Sequence, residues 1–273
     1  MNTTAYLAFY NLREPPFSKE IADADLCLPP SKQSLVDELV DAVHNRESVL
    51  LTGDPGVGKT CVLRALKTRL PEAGFRLTYC HNATLGRRDF YRHVCHALGL
   101  TPSATAAALF YAISNHVQDL SRERIHPVFL LDEAHLLHQD TLEHLHILLN
   151  YNWDSRALLS LLLIGLPELA DRLALRRNRS LASRIQHRFT VAPLTAEDSA
   201  AYIAMRLQRA GCDRELITTD ALAALHSATG GALRDLDRLA TAALREAHKK
   251  KRRLVERDLI ERLLQTDAHT PAV

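Results

Sequence analysis

The stretch Gly53-Asp54-Pro55-Gly56-Val57-Gly58-Lys59-Thr60 sets a lysine and a hydroxyl behind spaced glycines, in the pattern G-x-x-x-x-G-K-[ST]. The chemistry of such a loop is anion binding. Glycines at 53, 56 and 58 admit backbone conformations that a side chain blocks, so successive N–H groups can converge on phosphate oxygens. The apolar run Ser48-Val49-Leu50-Leu51-Thr52 precedes the loop, and the helix-compatible stretch Cys61-Val62-Leu63-Arg64-Ala65-Leu66 follows it. That is the strand–loop–helix context the pattern requires. A helix beginning near Lys59 adds its partial positive end. Lys59 is expected to reach the β- and γ-phosphates of a nucleotide triphosphate and Thr60 to hold Mg²⁺, with Cys61 continuing the phosphate-binding run.

A second constellation, Val128-Phe129-Leu130-Leu131-Asp132-Glu133, ends an apolar run in paired acids. If the run is a central strand of a parallel sheet, both carboxylates stand at the carboxyl edge, where ligands of such sheets bind. Asp132 is then a Mg²⁺ ligand, directly or through water. Glu133 is placed to orient and deprotonate an attacking water. A plain surface Asp-Glu pair is the simpler alternative, weakened by the complete phosphate loop upstream.

These groups need a rigid sheet to hold them, and the chain supplies one. Apolar runs at 48–52, 75–80, 128–131, 158–164 and 188–191 alternate with helical patterns at 87–98, 105–120, 141–149 and 181–185. This alternation predicts an α/β fold with a central parallel five-stranded sheet flanked by helices. After Pro193-Leu194 the pattern becomes all helical, at about 197–209, 219–228, 232–247 and 255–265, with Thr195 as an N-cap. The expected organisation is an N-terminal linker over 1–30, an α/β core over 31–193, a helical lid over 194–266 and a tail over 267–273.

The 273 residues, 47% hydrophobic and 24% charged, describe a globular chain rather than a membrane-spanning one. No apolar run approaches the ~20 residues of a membrane span, and the start lacks a signal-peptide pattern, so the expected location is the cytoplasm. The cysteines at 27, 61, 80, 95 and 212 form no C-x-x-C pair. Cys80-His81 and Cys95-His96 sit in strand-like and helix-like surroundings, which argues against zinc. The formal net charge of +2 hides an asymmetry: residues 170–262 hold nineteen Lys/Arg against twelve Asp/Glu, and Lys249-Lys250-Lys251-Arg252-Arg253 is the densest basic run. A basic half suits a polyanion partner; a solvated charged face is the plainer reading.

The chain resembles the AAA+ ATPases over nearly its whole length, and within them the ExeA type, which takes in general secretion pathway protein A-like proteins and transposition-associated ATP-binding proteins. The likeness rests on Asn11-Leu12-Arg13-Glu14-Pro15-Pro16-Phe17, Asp132-Glu133-Ala134-His135, Ile164-Gly165-Leu166-Pro167-Glu168-Leu169, Ser183-Arg184-Ile185 and Thr229-Gly230-Gly231-Ala232-Leu233-Arg234. It implies that Arg184 is the finger inserted into a neighbour's ATP site, with Arg176, Arg177 and Arg179 as competitors for that role. A guanidinium suits charge developing in phosphoryl transfer. It further implies Arg234 as a second sensor acting in cis and Asn82 as a switch residue restraining Glu133, while Phe17 lies near the adenine or simply in the core. Many members end the strand at 158–164 with Asn, Thr or Ser. Here it ends Ile164-Gly165, so no first sensor is assigned. The DEAH helicases share the Asp132–His135 tetrapeptide but need two nucleotide-binding lobes.

The resemblance implies an ATPase that assembles with its own copies as a ring or filament, binds double-stranded DNA and assists a transposase. A secretion ATPase of the general secretion pathway and a non-hydrolysing nucleotide switch are the alternatives. Glu133 argues against the switch, and the secretion relatives carry a membrane segment and a peptidoglycan-binding region not found in this sequence. Arg87, Arg88, Arg92 and the 249–253 run are the candidate DNA contacts.

Overall fold

The fold is taken from a computed structural model, which describes residues 3–26, 28–81 and 84–268. Asn82, expected to restrain Glu133, lies outside the described residues. The chain forms two compact units. One holds Ser34–Asp54 and Val62–Val191; the other holds the described residues of Met1–Gln33, Pro55–Cys61 and Ala192–Val273.

The first unit is built on five parallel strands: β1 (Val49–Thr52), β2 (Phe75–Cys80), β3 (His126–Leu131), β4 (Ser160–Gly165) and β5 (His187–Thr190), in the order β2-β3-β4-β1-β5. Strands β1, β3 and β4 are buried at every position, as continuous Val/Ile/Leu runs covered on both faces must be. The edge strands β2 and β5 alternate between covered and exposed positions. Helices α4 (Arg87–Ala97), α5 (Ala106–Arg122) and α6 (Gln139–Leu148) bury Phe90, Tyr91, Val94, Leu109, Ile113, Leu142 and Leu145 with Phe129, Leu131, Leu161 and Leu163 of the sheet.

Local details depart from the sequence reading. The apolar run from Leu158 enters β4 only at Ser160. A helix α7 (Glu168–Ala174) that the sequence did not announce follows β4; seven residues are too few to set up a readable period. The short helix expected at 181–185 lies earlier, as α8 (Arg179–Ala182), behind a 3₁₀ turn at Arg176–Asn178.

The second unit is helical: α9 (Ala196–Arg209), α10 (Thr219–Thr229), α11 (Leu233–Lys249) and α12 (Arg257–Ala268). Thr195 and Thr218 cap α9 and α10, their hydroxyls accepting the Asp198 and Ala221 N–H groups. The stretch read as a linker behaves otherwise. It carries α1 (Thr3–Tyr10), and Tyr6, Tyr10, Leu12 and Phe17 are buried in the same core as Ile203, Leu236, Leu244 and Ile260. Arg206 is buried beneath it, donating to the Pro16 and Ser18 carbonyls at 2.7 Å each. Phe17 is thus a core side chain of the helical unit. Helices α2 (Pro30–His44) and α3 (Lys59–Arg69) begin in this second unit and continue in the first.

Candidate functional site

Register fixes the geometry of the sheet edge. Thr52 at the end of β1 pairs with Gly165 at the end of β4, and Leu131 at the end of β3 pairs with Leu163. One step on, Asp132 comes level with Ile164. The loop that starts at Gly53 and the acids that follow β3 therefore leave the same carboxyl edge, with β4 between them.

The loop's path suits glycine alone at two points. Gly56 and Gly58 have φ of +82° and +101°. A Cβ on Gly56 would come within 3.0 Å of the Arg234 Cβ, and one on Gly58 within 2.5 Å of Leu233 Cδ1. The opening of α11 lies against the loop there, and the Arg234 N–H donates to the Gly56 carbonyl at 3.1 Å. Gly231, at φ +77°, lets the chain pass the Leu194 backbone, whose N–H donates to the Gly231 carbonyl at 2.9 Å. Lys59 and Thr60 open α3 directly behind this turn, Lys59 half-buried and Thr60 exposed. A tight backbone turn feeding a helix N-terminus fits a phosphate chain.

The acid pair is positioned by hydrogen bonds that the sequence alone did not reveal. Asp132 is buried. Its Oδ2 accepts the Tyr79 hydroxyl at 2.6 Å, and its Oδ1 accepts the Glu133 N–H at 2.9 Å. Its own N–H bonds the Cys80 carbonyl, extending the β2–β3 ladder by one rung. Partial burial and the bond to Asp132 push the Tyr79 phenol well above its ordinary pKa, so it stays a donor at all working pH values. Each Asp132 oxygen keeps a lone pair for a further partner. Carboxylate oxygens of this kind are the hard donors that Mg²⁺ prefers.

Glu133 sits in the left-handed region, φ 54° and ψ 32°, with its side chain half exposed. The backbone turn ends the strand and brings the carboxylate near His135, whose Nδ1 lies 3.5 Å from Glu133 Oε2.

Arg184 stands elsewhere. It precedes β5, and nearby Gln186 bonds the Ser48 carbonyl at the start of β1, so Arg184 is at the amino edge of the sheet, opposite Asp132. Its guanidinium pairs with Asp154 at 2.7 Å and donates to the Ser180 carbonyl at 3.0 Å. Arg176, Arg177 and Arg179 are exposed on the turn before it.

The model of the family described as "AAA domain" matches residues 41–173. General secretion pathway protein A of Aeromonas hydrophila is 35% identical over 242 residues, which are 88% of this chain and 44% of that protein. The chain is therefore similar to the AAA+ proteins of the ExeA type. It spans less than half the length of the relative it matches. Among solved structures, Drosophila ORC bound to DNA superposes with a TM-score of 0.71 at 16% identity, over 98% of this chain and 67% of that one. Cdc6p from Pyrobaculum aerophilum gives 0.67 at 16%, over 88% and 67%. At such identities these last two speak to fold: a parallel sheet flanked by helices with a helical region after it. No helix among the described residues is long and apolar enough to cross a membrane.

The candidate DNA contacts are mostly engaged within the chain. Lys249 and Lys250 both pair with Glu246, at 3.0 and 3.3 Å. Arg252 pairs with Asp258 at 2.9 Å, and Arg253 donates to the Phe9 carbonyl with its guanidinium 4.4 Å from the Phe9 ring centre. Arg88 is exposed on α4, while Arg92 lies 3.8 Å from Asp89.

Proposed function

We propose that the chain binds and hydrolyses ATP as one subunit of an assembly of its own copies, with duplex DNA as effector. The observation that carries the ATPase reading is the shared sheet edge: the phosphate-type loop leaves β1 where Asp132 and Glu133 leave β3. In this reading the backbone of residues 53–60 holds the phosphates, Lys59 neutralises their charge, and Cys61 continues the contact on the first turn of α3. Thr60 and Asp132 would hold Mg²⁺, which would supply charge stabilisation on the phosphate oxygens. Glu133 orients the attacking water and takes its proton. Arg234, tied by its backbone to Gly56, reads the nucleotide from the helical unit.

Arg184 supports the oligomeric part. At the amino edge it stands across the sheet from its own acid pair, so its action on a γ-phosphate is an action on a neighbour's. A repeated head-to-tail contact of this kind builds rings or filaments.

The basic second half and the fold shared with a DNA-bound ORC structure favour DNA, and assistance to a transposase in target selection is the finer form of that reading. The internal pairing of residues 249–253 shifts the weight of DNA contact towards α4. A secretion ATPase is the second reading, favoured by the 35% identity to general secretion pathway protein A. The test is ATP turnover with and without duplex DNA over a salt series. The DNA reading expects stimulation that fades steeply as salt rises. Turnover indifferent to DNA at low salt removes DNA as effector, and absence of turnover in every condition removes the ATPase reading itself.

A further inference from the structure

Strand β4 ends in a space that its own residue leaves empty. Gly165 is buried and its φ lies outside the left-handed region, so its backbone conformation is open to any residue. What crowds a side chain there is its neighbours: a Cβ would come within 3.0 Å of Leu169 Cδ2 and 3.1 Å of both the backbone nitrogen and Nδ1 of His135. The imidazole, 13% exposed, fills the place of a strand-end side chain. The backbone that carries it is tied down. The Arg172 guanidinium donates to the His135 carbonyl and, at 2.7 Å, to that of Leu137. Asn178 locks Arg172 in turn by donating to its carbonyl at 2.7 Å, while accepting from Gln139 at 2.7 Å.

His135 Nδ1 faces two partners of opposite demand. The Leu166 N–H, just past the end of β4, points to it at 3.4 Å and needs an acceptor. Glu133 Oε2 lies 3.5 Å away and needs a donor. One ring nitrogen serves one of these at a time. With Nδ1 bare, Leu166 is satisfied and the Glu133 carboxylate is turned away. With hydrogen on Nδ1, the ring holds Glu133 and Leu166 loses its partner.

We propose that His135 is the positioning residue for Glu133: occupying the space vacated by Gly165, it couples the end of β4 to the orientation of the carboxylate. The inference rests on the ATPase reading above, because it assigns Glu133 the water. His135 touches no reacting atom. It selects between a Glu133 held against the ring and one released to its task, and a change at the end of β4 alters the choice by moving the Leu166 N–H.

The experiment compares the parent chain with His135→Ala, His135→Asn and the double variant His135→Ala/Gly165→Asn, reading ATP affinity by equilibrium titration, kcat and KM by steady-state turnover, and the Nδ1 signal by ¹⁵N NMR of the nucleotide-free protein. His135→Ala is expected to bind ATP within about twofold of the parent while kcat falls tenfold or more. His135→Asn, which keeps an amide nitrogen near the Nδ1 position, should recover most of that loss, and the double variant part of it from the opposite side of the gap. In the parent, the Nδ1 resonance should shift on Glu133→Gln. A parent kcat in His135→Ala, or equal losses in His135→Ala and His135→Asn with an Nδ1 signal indifferent to Glu133→Gln, overturns the proposal. If His135→Ala does not fold, the comparison of His135→Asn with the parent and the Nδ1 signal decide it in the same way. A parent chain that binds ATP without turning it over sinks the ATPase reading instead, and the Nδ1 response still reports on the coupling.

Discussion

The Arg234 backbone N–H donates to the Gly56 carbonyl at 3.1 Å, so the first turn of α11 and the phosphate-type loop are fastened main chain to main chain. The contact has no room for side chains on the loop side. Gly58→Ala would place a methyl 2.5 Å from Leu233 Cδ1 at a φ of +101°. Strain of about 1–3 kcal/mol is expected for a non-glycine residue there. The variant should melt lower and lose ATP binding together. Arg234→Ala keeps the backbone bond, so its melting temperature should stay near the parent's while hydrolysis falls. Differential scanning calorimetry beside ATP titration separates the two, and a Gly58→Ala chain that binds ATP normally would contradict this close fit.

Binding and turnover should come apart at two residues. Lys59→Ala should lose nucleotide affinity. Glu133→Gln should keep it, because the amide still fits beside His135, yet turn over slower by ~10²-fold or more if the carboxylate is the base. Single-turnover hydrolysis with pre-bound ATP checks the second claim, and a Glu133→Gln rate within a few-fold of the parent assigns the water to another group.

Arg184→Ala should bind ATP and fail to hydrolyse it. Mixed with Lys59→Ala, it should regain part of the activity, since one chain then supplies an intact loop and the other an intact arginine. A flat activity across mixing ratios would mean that Arg184 serves only its salt bridge with Asp154, at 2.7 Å.

Where the sequence could be read, the reason is physical. The three central strands are covered on both faces, so they appear as unbroken Leu/Val/Ile runs, and the four lid helices are long enough to display their period. The loop glycines and the acids after β3 are legible because phosphate chemistry fixes their spacing. Tyr79 and His135 were missed as partners of the acid pair. Tyr79 looks like an ordinary strand residue until β2 is placed beside β3. His135 acquires meaning only when β4 is found to end in a glycine against its ring. The N-terminal stretch misled for another cause: α1 has eight residues and almost no amphipathic contrast, so nothing local announces that Tyr6 and Tyr10 bury themselves among the lid helices.

Acid should weaken the α/β unit through His126. This side chain opens β3, is 6% exposed, and its Nε2 lies 2.8 Å from Ser160 Oγ. Burial, with a smaller contribution from Arg46, lowers its pKa from 6.5 to about 4. A lowered histidine is neutral in the fold and protonates in the unfolded chain first. Its stabilisation is therefore complete above about pH 6.5 and is lost as pH falls towards 4. Over that window the loss amounts to roughly 3 kcal/mol. His126→Gln, which can keep the bond to Ser160, should flatten this part of the stability–pH curve. Urea denaturation at pH 7.5 and 5 measures it, and an unchanged slope in the variant would remove His126 as the cause.

Trp153 is the sole tryptophan of the chain and is fully exposed. It sits between Asn152 and Asp154 in three successive left-handed residues, with φ of 50°, 61° and 64°. A bulky residue is costly in that region, so the turn is held from outside itself, by the Tyr151–Arg156 bridge and by the Arg184–Asp154 pair. In the isolated chain its fluorescence should be that of a water-exposed indole, open to acrylamide quenching. If copies assemble through the face that carries Arg184, ATP should shift the emission to the blue and protect it from quencher, more strongly as protein concentration rises. Lys59→Ala should show neither change. A signal that responds to ATP equally at all concentrations would trace the effect to a movement within one chain, and a silent one would put the interface on a different face.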